Sequence, residues 1–167
     1  MDSEKPVLIG LGTNLTFGAL AGPALLDAAL LALEEAGVKT RRRSSFWTSP
    51  AWPPEDPPQP DFVNAVASVD PGRLNAEALY GLMADIEQAF GRERRTRWAA
   101  RTLDLDLLDF RGEHSQAPLI LPHPRLHERA FVLAPLAEIA PAWRHPMLGE
   151  TAADLLLRLD ENGARRL

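Results

Sequence analysis

The sequence is most informative at first through what it lacks. It contains no cysteine, so it can form neither a disulfide nor a thiolate metal site. No apolar run approaches the roughly 18 residues that a membrane-spanning helix needs, and the acidic first residues do not resemble a signal peptide. Lysine is almost absent, and the net charge of −5 disfavours a broad nucleic-acid-binding surface. We therefore expect a globular cytoplasmic protein that binds neither nucleic acid nor membrane.

Several common nucleotide and hydrolase motifs are also missing. GLGTNL at 10–15 begins like a dinucleotide-binding loop, but a leucine stands where the third glycine belongs. The chain has no Walker loop and no G-x-S-x-G nucleophile elbow. A nucleotide would have to be held here by other means.

The elements that are present predict one domain over residues 1–167. Apolar alternation and helical spacing, interrupted by glycine and proline, give the order β-α-β-β-α-β, followed by two more helices. The predicted strands are 7–12, 39–47, 61–70 and one within 97–110, and the predicted helices are 22–37, 74–91, 130–141 and 151–163. This order predicts an α+β fold, a ferredoxin-like sandwich with a mainly antiparallel sheet and helices packed on it. We expect the helices on one face and a site on the other.

The segment RTLDLDLLDF at 101–110 places acids inside a leucine-rich strand. In a strand, residues two apart share a face, so Asp104 and Asp106 project together while the leucines beside them enter the core. Two carboxylates without cysteine or a nearby histidine suit Mg²⁺. The alternative is a solvated strand face with incidental acids. Asp109 breaks the alternation and is expected at the strand end or in a turn.

The segment GRERRTRWAAR at 91–101 concentrates five arginines and a tryptophan just before the acidic pair. Guanidinium groups bind phosphate oxygens in pairs, and an indole can stack on a base. A solvated basic loop paired with local acids is the alternative. The adjacent cation and anion sites favour a metal-bound polyphosphate.

Two further segments carry candidate ligands. In LPHPRLHERAF at 121–131, prolines fix the backbone around His123, and Arg125 and Arg129 supply anion donors; a structural histidine is the alternative. In PDFVN at 60–64, Phe62 and Asn64 share a strand face, which suits a flat heteroaromatic ligand. A core phenylalanine beside a turn-capping asparagine is the alternative there.

Taken in order, six blocks of the sequence resemble the 6-hydroxymethyl-7,8-dihydropterin pyrophosphokinase family of folate biosynthesis. The blocks are GLGTNL, SSFWTSP, QPDFVNAV, IEQAFGRERRTRW, RTLDLDLL and LPHPRLHERAFVLAPLAEIAP, and they run from residue 8 to about 141. The resemblance implies transfer of a diphosphoryl group from MgATP to the hydroxymethyl oxygen of the pterin, with release of AMP. No covalent nucleophile is needed, because such catalysis consists of positioning and charge neutralisation.

The resemblance also implies roles for individual residues. Asp104 and Asp106 would hold two Mg²⁺ ions, and Asp106 could assist loss of the hydroxyl proton, although a metal-bound route is equally allowed. Arg92 and Arg101 would clamp the phosphates as catalytic residues. The further nucleotide-binding residues would be Glu87, Arg94, Trp98, Leu107, His123 and Arg129. Phe62 and Phe131 would sandwich the pterin, Asn64 would hydrogen-bond to it, and the backbone from Thr48 through Pro50 to Ala51 would border the same pocket.

The sequence departs from the family pattern in its loops. Trp52 stands where the family usually has glycine, a proline-rich stretch follows it, Ala100 replaces a common proline, and the arginine segment is one residue short. Two other hypotheses remain: a different Mg²⁺-dependent phosphoryl or nucleotidyl transferase, and a nucleotide-binding domain without catalysis. The expected partners are the two small-molecule substrates, and the expected state is a monomer.

Overall fold

The computed structural model describes residues 4–51, 54, 56–91, 102–160 and 163–167. Within these ranges no helix has both the length and the apolar character to cross a bilayer. The strands and helices, in chain order, are β1 (Val7–Thr13), α1 (Gly22–Glu35), β2 (Lys39–Arg43), β3 (Trp47–Ser49), β4 (Phe62–Asp70), α2 (Ala76–Ala89), β5 (Asp104–Phe110), α3 (Ala130–Ile139), α4 (Ala152–Leu157) and β6 (Arg165–Arg166). A 3-10 turn, Leu126–Glu128, precedes α3.

The strands form one sheet in the order β5-β1-β4-β3-β6, with β2 also pairing with β4. Every recorded pairing between these strands is antiparallel. The predicted α+β fold with an antiparallel sheet and helices packed on it is therefore confirmed. The predicted strand at 39–47 is two strands, because Ser44 interrupts it: its hydroxyl accepts the backbone N–H of Val66 at 3.0 Å.

Helices cover both faces of the sheet, so the expectation of one bare face is wrong. Side chains such as Ile9 and Ala67 point into a core shared with α1 and α2. Their neighbours Leu8 and Val66 point the other way, into a second apolar cluster shared with α3 and α4. Because successive side chains of a strand point to opposite faces, the same strands contribute residues to both apolar clusters. The candidate site occupies the part of this second face that α3 and α4 leave open.

A β-bulge explains why Asp109 breaks the alternation of its strand. Strand β5 pairs with β1 in regular register up to Leu107, and the register then shifts so that Asp109 lies opposite Leu8. Asp109 is buried next to the last residue of β5, at the strand end as one of the two expectations had it, and it accepts hydrogen bonds from the Trp143 indole N–H and the Gly112 backbone N–H. Burial raises the pKa of this carboxyl despite both bonds.

Helix α4 is much shorter than the predicted segment 151–163. Thr151 caps it by accepting the backbone N–H of Asp154 at 3.1 Å, and the helix ends at Leu157. The chain then returns to the sheet, where residues 165–166 form the edge strand β6. This return brings the C-terminal segment beside the cavity.

Candidate active site

A cavity of about 690 Å³ lies on the open part of the second sheet face. Its floor follows the strand order: Asp104 and Asp106 on β5, two glycines on β1, Phe62 and Asn64 on β4, and Ser49 at the end of β3. The segment 123–132, which leads into α3, forms the opposite side. The sheet thus places an acidic end and an aromatic end in one cavity.

Glycines on β1 keep the floor of this cavity open. Gly12 lies opposite Asp104 on one side and Asn64 on the other, and Gly10 lies opposite Asp106 and Val66. A β-carbon at Gly12 would stand 3.3 Å from the Asn64 Oδ1 atom, which is tighter than ordinary contact. From the sequence, GLGTNL failed as a dinucleotide motif and matched a family block, but no structural role was predicted for its glycines. Its glycines instead serve the sheet, and their period-two spacing was the signal that could have shown this.

Asp104 and Asp106 are half-buried and share the cavity face, while Leu105 and Leu107 enter the core. The predicted division of this strand between core and cavity is confirmed. The Nε2 atom of His123 lies 4.0 Å from the Asp106 Oδ2 atom. The backbone N–H of His123 donates to the Leu108 carbonyl at 2.8 Å, which fixes the histidine segment to β5.

His123 is a neutral imidazole at physiological pH. Burial, followed by the positive charge of Arg129, lowers its pKa from 6.5 to about 4, although Asp104 opposes the shift. Its Nδ1 atom accepts the backbone N–H of Arg125 at 3.2 Å. The ring proton is therefore on Nε2, the atom that faces the acidic pair, where it is available as a hydrogen-bond donor.

Arg129 supplies positive charge next to the carboxylates. Burial lowers the pKa of its guanidinium, and the charge of Asp106 works against that shift. The guanidinium carbon lies 5.6 Å from the centroid of the Phe131 ring. Arg125, by contrast, forms an ion pair with Glu128: the Arg125 Nε atom lies 3.2 Å from the Glu128 Oε2 atom. Arg129 is thus positioned to bind an anion at the acidic end.

The aromatic end contains Phe62, Phe131, Pro50 and Ala51 around a nearly buried Asn64. The Asn64 Nδ2 group donates to the Ser49 Oγ atom at 2.8 Å. Because Ser49 is itself buried, this bond fixes the plane of the amide. The sequence prediction included the backbone here but missed the Ser49 side chain, since only the β3–β4 register brings it to Asn64.

Three predicted site residues do not line the cavity. The Thr48 hydroxyl is directed to the Arg165 carbonyl on β6, at 3.4 Å. Leu107 is buried in the core, and the Glu87 Oε1 atom accepts the backbone N–H of Leu105 at 2.7 Å. Their ligand contacts stay predictions, and the contact predicted for Thr48 is through its backbone. The predicted residues Arg92, Arg94, Trp98 and Arg101, and the loop residues Trp52 and Ala100, lie outside the described residues.

Across the part of the chain that the structure describes, no group of three or more histidine, cysteine or acidic side chains is arranged to hold a metal ion. The acidic pair offers two carboxylates and no third protein ligand of these types within that part. A cation held by these two carboxylates would complete its coordination with oxygen atoms of water or of a bound ligand. The arrangement suits a metal that arrives with a phosphate-bearing substrate.

Comparisons with known proteins agree with one another. The family model of 7,8-dihydro-6-hydroxymethylpterin-pyrophosphokinase matches residues 8–141. The 2-amino-4-hydroxy-6-hydroxymethyldihydropteridine pyrophosphokinase of Synechocystis sp. is 42% identical over 158 residues, 92% of this chain and 75% of the relative. The enzyme of the same name from Methylorubrum extorquens is 38% identical over 161 residues, and that from Pseudomonas aeruginosa is 39% identical over 162 residues. The Methylorubrum alignment covers 95% of this chain and 96% of the relative, and the Pseudomonas alignment covers 96% of both.

Solved structures support the fold independently. Plasmodium falciparum HPPK-DHPS A437G with SDX-DHP superposes with a TM-score of 0.71 at 14% identity, covering 99% of this chain and 49% of that one. HPPK-DHPS in complex with substrates gives a TM-score of 0.68 at 12% identity, over 91% of this chain and 44% of that one. This chain thus spans less than half of those solved chains, and at such low identity the likeness shows the fold alone.

Proposed function

The chain belongs to the 7,8-dihydro-6-hydroxymethylpterin-pyrophosphokinase family, and from that premise we propose that this cavity is where diphosphate passes from ATP to the pterin. The enzyme is an ATP-dependent diphosphotransferase of folate biosynthesis that converts 6-hydroxymethyl-7,8-dihydropterin to its diphosphate and releases AMP. One observation carries the assignment of the cavity: the acidic pair and the Phe62–Asn64 pair face the same space.

We propose that Asp104 and Asp106 hold two Mg²⁺ ions together with the phosphates of ATP. The donor set supports this, because both carboxylates are hard oxygen ligands on one strand face and phosphate oxygens would complete the coordination. When bound, such ions neutralise phosphate charge and make the β-phosphorus more electrophilic.

The transfer itself needs a correctly placed hydroxyl group. The hydroxymethyl oxygen attacks the β-phosphorus in line, an O–P bond forms, and the bond from the β-phosphorus to the α–β bridging oxygen breaks. AMP leaves with the electron pair of that bond. We propose that Asp106, at the acidic end, assists loss of the hydroxyl proton. Positioning and charge neutralisation supply the rest of the acceleration.

Residues from four segments would hold the nucleotide. The neutral His123 donates from Nε2, and Arg129 pairs with phosphate oxygens, since both lie beside the carboxylates. We propose that Glu87 and Leu107, which lie on the side of β5 that faces α2, also contact the nucleotide. The arginine segment supplies the remaining residues, Arg92, Arg94, Trp98 and Arg101, with Arg92 and Arg101 as the phosphate clamps.

The pterin would occupy the aromatic end. Phe62 and Phe131 offer rings on either side of a flat heterocycle, and Asn64 offers a fixed amide that can both donate and accept. Pro50 and Ala51, with the backbone of Thr48, border the ring. A pterin bound there would have its hydroxymethyl group facing the acidic pair.

We also propose that residues 1–167 act as one domain, in the cytoplasm, as a monomer. The two apolar clusters support the first part, because they pack on opposite faces of a single sheet. Gel filtration coupled to light scattering tests the monomer directly; a mass of about twice the chain's 18.4 kDa would contradict it.

A product analysis tests the proposed reaction. The protein is incubated with ATP and Mg²⁺, with and without 6-hydroxymethyl-7,8-dihydropterin, and the nucleotides are separated. We expect AMP only when the pterin is present. Formation of ADP would instead indicate transfer of the terminal phosphate, and the absence of turnover would indicate a binding domain without catalysis.

A further inference from the structure

The C-terminal segment contributes a wall of the cavity although it lies beyond the family match. The family model ends at residue 141, whereas the chain continues through α4 to β6. Leu159, Asp160 and Gly163 nevertheless line the same cavity as the acidic pair and Phe62. None of the roles derived above belongs to these residues.

Strand β6 attaches this C-terminal segment, residues 159–167 and called the tail below, to the sheet beside the cavity. Arg165 and Arg166 pair antiparallel with Thr48 and Trp47 of β3, and the backbone N–H of Leu167 donates to the Phe46 carbonyl at 2.9 Å. Strand β3 ends at Ser49 and is followed by Pro50 and Ala51, and all three residues line the cavity. The tail is therefore hydrogen-bonded to the strand that borders the aromatic end.

A second attachment joins the tail to α3. The Arg166 guanidinium donates to the Ser45 hydroxyl at 2.7 Å and lies 3.8 Å from the Glu138 Oε1 atom. Glu138 belongs to α3 and accepts the backbone N–H and the hydroxyl of Ser45. Helix α3 also carries Phe131, so the tail is fixed to both elements that border the aromatic end.

The closest approach of the tail to α3 requires glycine. A β-carbon at Gly163 would lie 2.7 Å from the Ala130 β-carbon, far inside the roughly 3.5–4.0 Å separation of carbon atoms in contact. The backbone of Gly163 is not in the left-handed region, so the requirement is for space alone. Ala130 stands between Arg129 and Phe131, and a displacement there would reach both residues.

The strand order identifies the end of the cavity that the tail borders. Strand β6 pairs with β3, at the edge of the sheet opposite to β5 and its carboxylates. Building on the proposed function, we propose that Leu159 and Gly163 form the outer wall of the acceptor pocket, and that the Gly163–Ala130 contact sets the width available to a flat bicyclic heterocycle. These residues determine acceptor fit. Of the proposed nucleotide ligands only Arg129 adjoins Ala130, so ATP binding depends on this contact less than acceptor binding does.

A rescue experiment tests this wall. Gly163→Ala forces the tail and α3 apart, and we expect the KM for the pterin to rise about tenfold, which corresponds to roughly 1.4 kcal/mol. The KM for ATP should rise less, by no more than about threefold, because the displacement reaches Arg129 but not the carboxylates at the opposite edge of the sheet. Adding Ala130→Gly removes the opposing carbon, so the double variant should recover most of the pterin affinity. Gly81→Ala is the matched control, because a β-carbon at this position on α2 meets no atom within 4 Å.

The outcomes separate this inference from the proposed function. AMP formation by the unaltered protein tests the reaction, whereas the ratio of KM values between variants tests the wall. An unchanged pterin KM in Gly163→Ala, equal changes for both substrates, or no rescue by Ala130→Gly would overturn the wall. If Gly163→Ala does not fold, Leu159→Ala gives the second reading: the same selective rise in pterin KM supports the wall, and an unchanged value overturns it.

Discussion

At the scale of single residues, the acidic end of the cavity depends on two carboxylates and on two glycines that lie opposite them. Asp104 and Asp106 project into the cavity, and Gly12 and Gly10 lie opposite them on β1 without side chains that would fill the space. The alternation of the sequence predicted the acidic pair. It did not predict the glycines as partners, because pairing register depends on strands about ninety residues apart in the chain.

Removing either negative charge should abolish most of the activity without unfolding the protein. Asp104→Asn and Asp106→Asn should each lower turnover by at least about 100-fold, because charge neutralisation at the phosphates is lost. Both side chains are partly exposed, so the melting temperature should change little. Steady-state kinetics and thermal denaturation measure the two effects. Asp85→Asn, an exposed acid on α2, is the control, and near-normal turnover in either site variant would contradict the metal role.

Ser49 should act on the acceptor through Asn64. Ser49→Ala removes the partner of the Asn64 amide, and losing a hydrogen bond of about 1 kcal/mol should raise the pterin KM about fivefold. Ser49→Thr keeps the hydroxyl and should retain more affinity than alanine. Ser68→Ala, on β4 beyond Asn64, serves as the control. An equal rise in the KM for ATP, or no difference between Thr and Ala at position 49, would argue against positioning.

At the scale of elements, prediction succeeded where periodicity was long and failed where tertiary contacts decide. Helices α1 and α2 and strand β4 begin and end close to their predicted bounds. The break between β2 and β3 depends on Ser44 bonding across to β4, and the short α4 depends on the return of the tail to the sheet. Neither of these contacts can be predicted from the local sequence pattern. The apolar segment 130–141 indicated a helix but not the sheet face it covers.

Glu138 should stabilise the junction between α3 and β3 in a pH-dependent manner. Burial alone would raise its pKa, but hydrogen bonds from Ser45 and Trp47 hold the pKa below the ordinary 4.5. A lowered pKa means that the carboxylate contributes stability above pH 4.5 and that this contribution is lost as the pH falls through the lowered value. Glu138→Gln should therefore reduce the free energy of unfolding by about 1 kcal/mol at pH 7, because its amide N–H faces the Trp47 donor.

Urea denaturation at several pH values measures this contribution. The difference between the unaltered protein and Glu138→Gln should shrink steadily as the pH is lowered below 4.5. A difference that stays constant from pH 7 to pH 3 would show that the carboxylate charge has no part in the junction.

At the scale of the whole molecule, one face of the sheet carries both a stabilising apolar cluster and the proposed catalytic cavity. The second apolar cluster fixes α3. This helix carries Phe131, and Arg129 is the residue immediately before the helix begins. The family resemblance predicted these residues as ligands, but not the helix packing that places them over the sheet. The arginine segment was predicted from sequence and stays a prediction, since it lies outside the described residues.

Truncating the centre of this second cluster should loosen the whole arrangement. Leu133 is fully buried, so Leu133→Ala should lower the free energy of unfolding by roughly 2–5 kcal/mol. Leu157, a leucine that is 84% exposed, provides the matched control, and Leu157→Ala should change stability by less than about 0.5 kcal/mol. Similar losses for both variants in chemical denaturation would contradict the role of the cluster.

The most direct test of the central claim follows the β-phosphorus of ATP. The protein is given ATP labelled at that atom, Mg²⁺ and 6-hydroxymethyl-7,8-dihydropterin, and the products are separated by chromatography. Diphosphate transfer predicts that the label appears in the pterin product and that the released AMP is unlabelled. Label recovered in ADP, or AMP formed at the same rate without the pterin, would contradict the account.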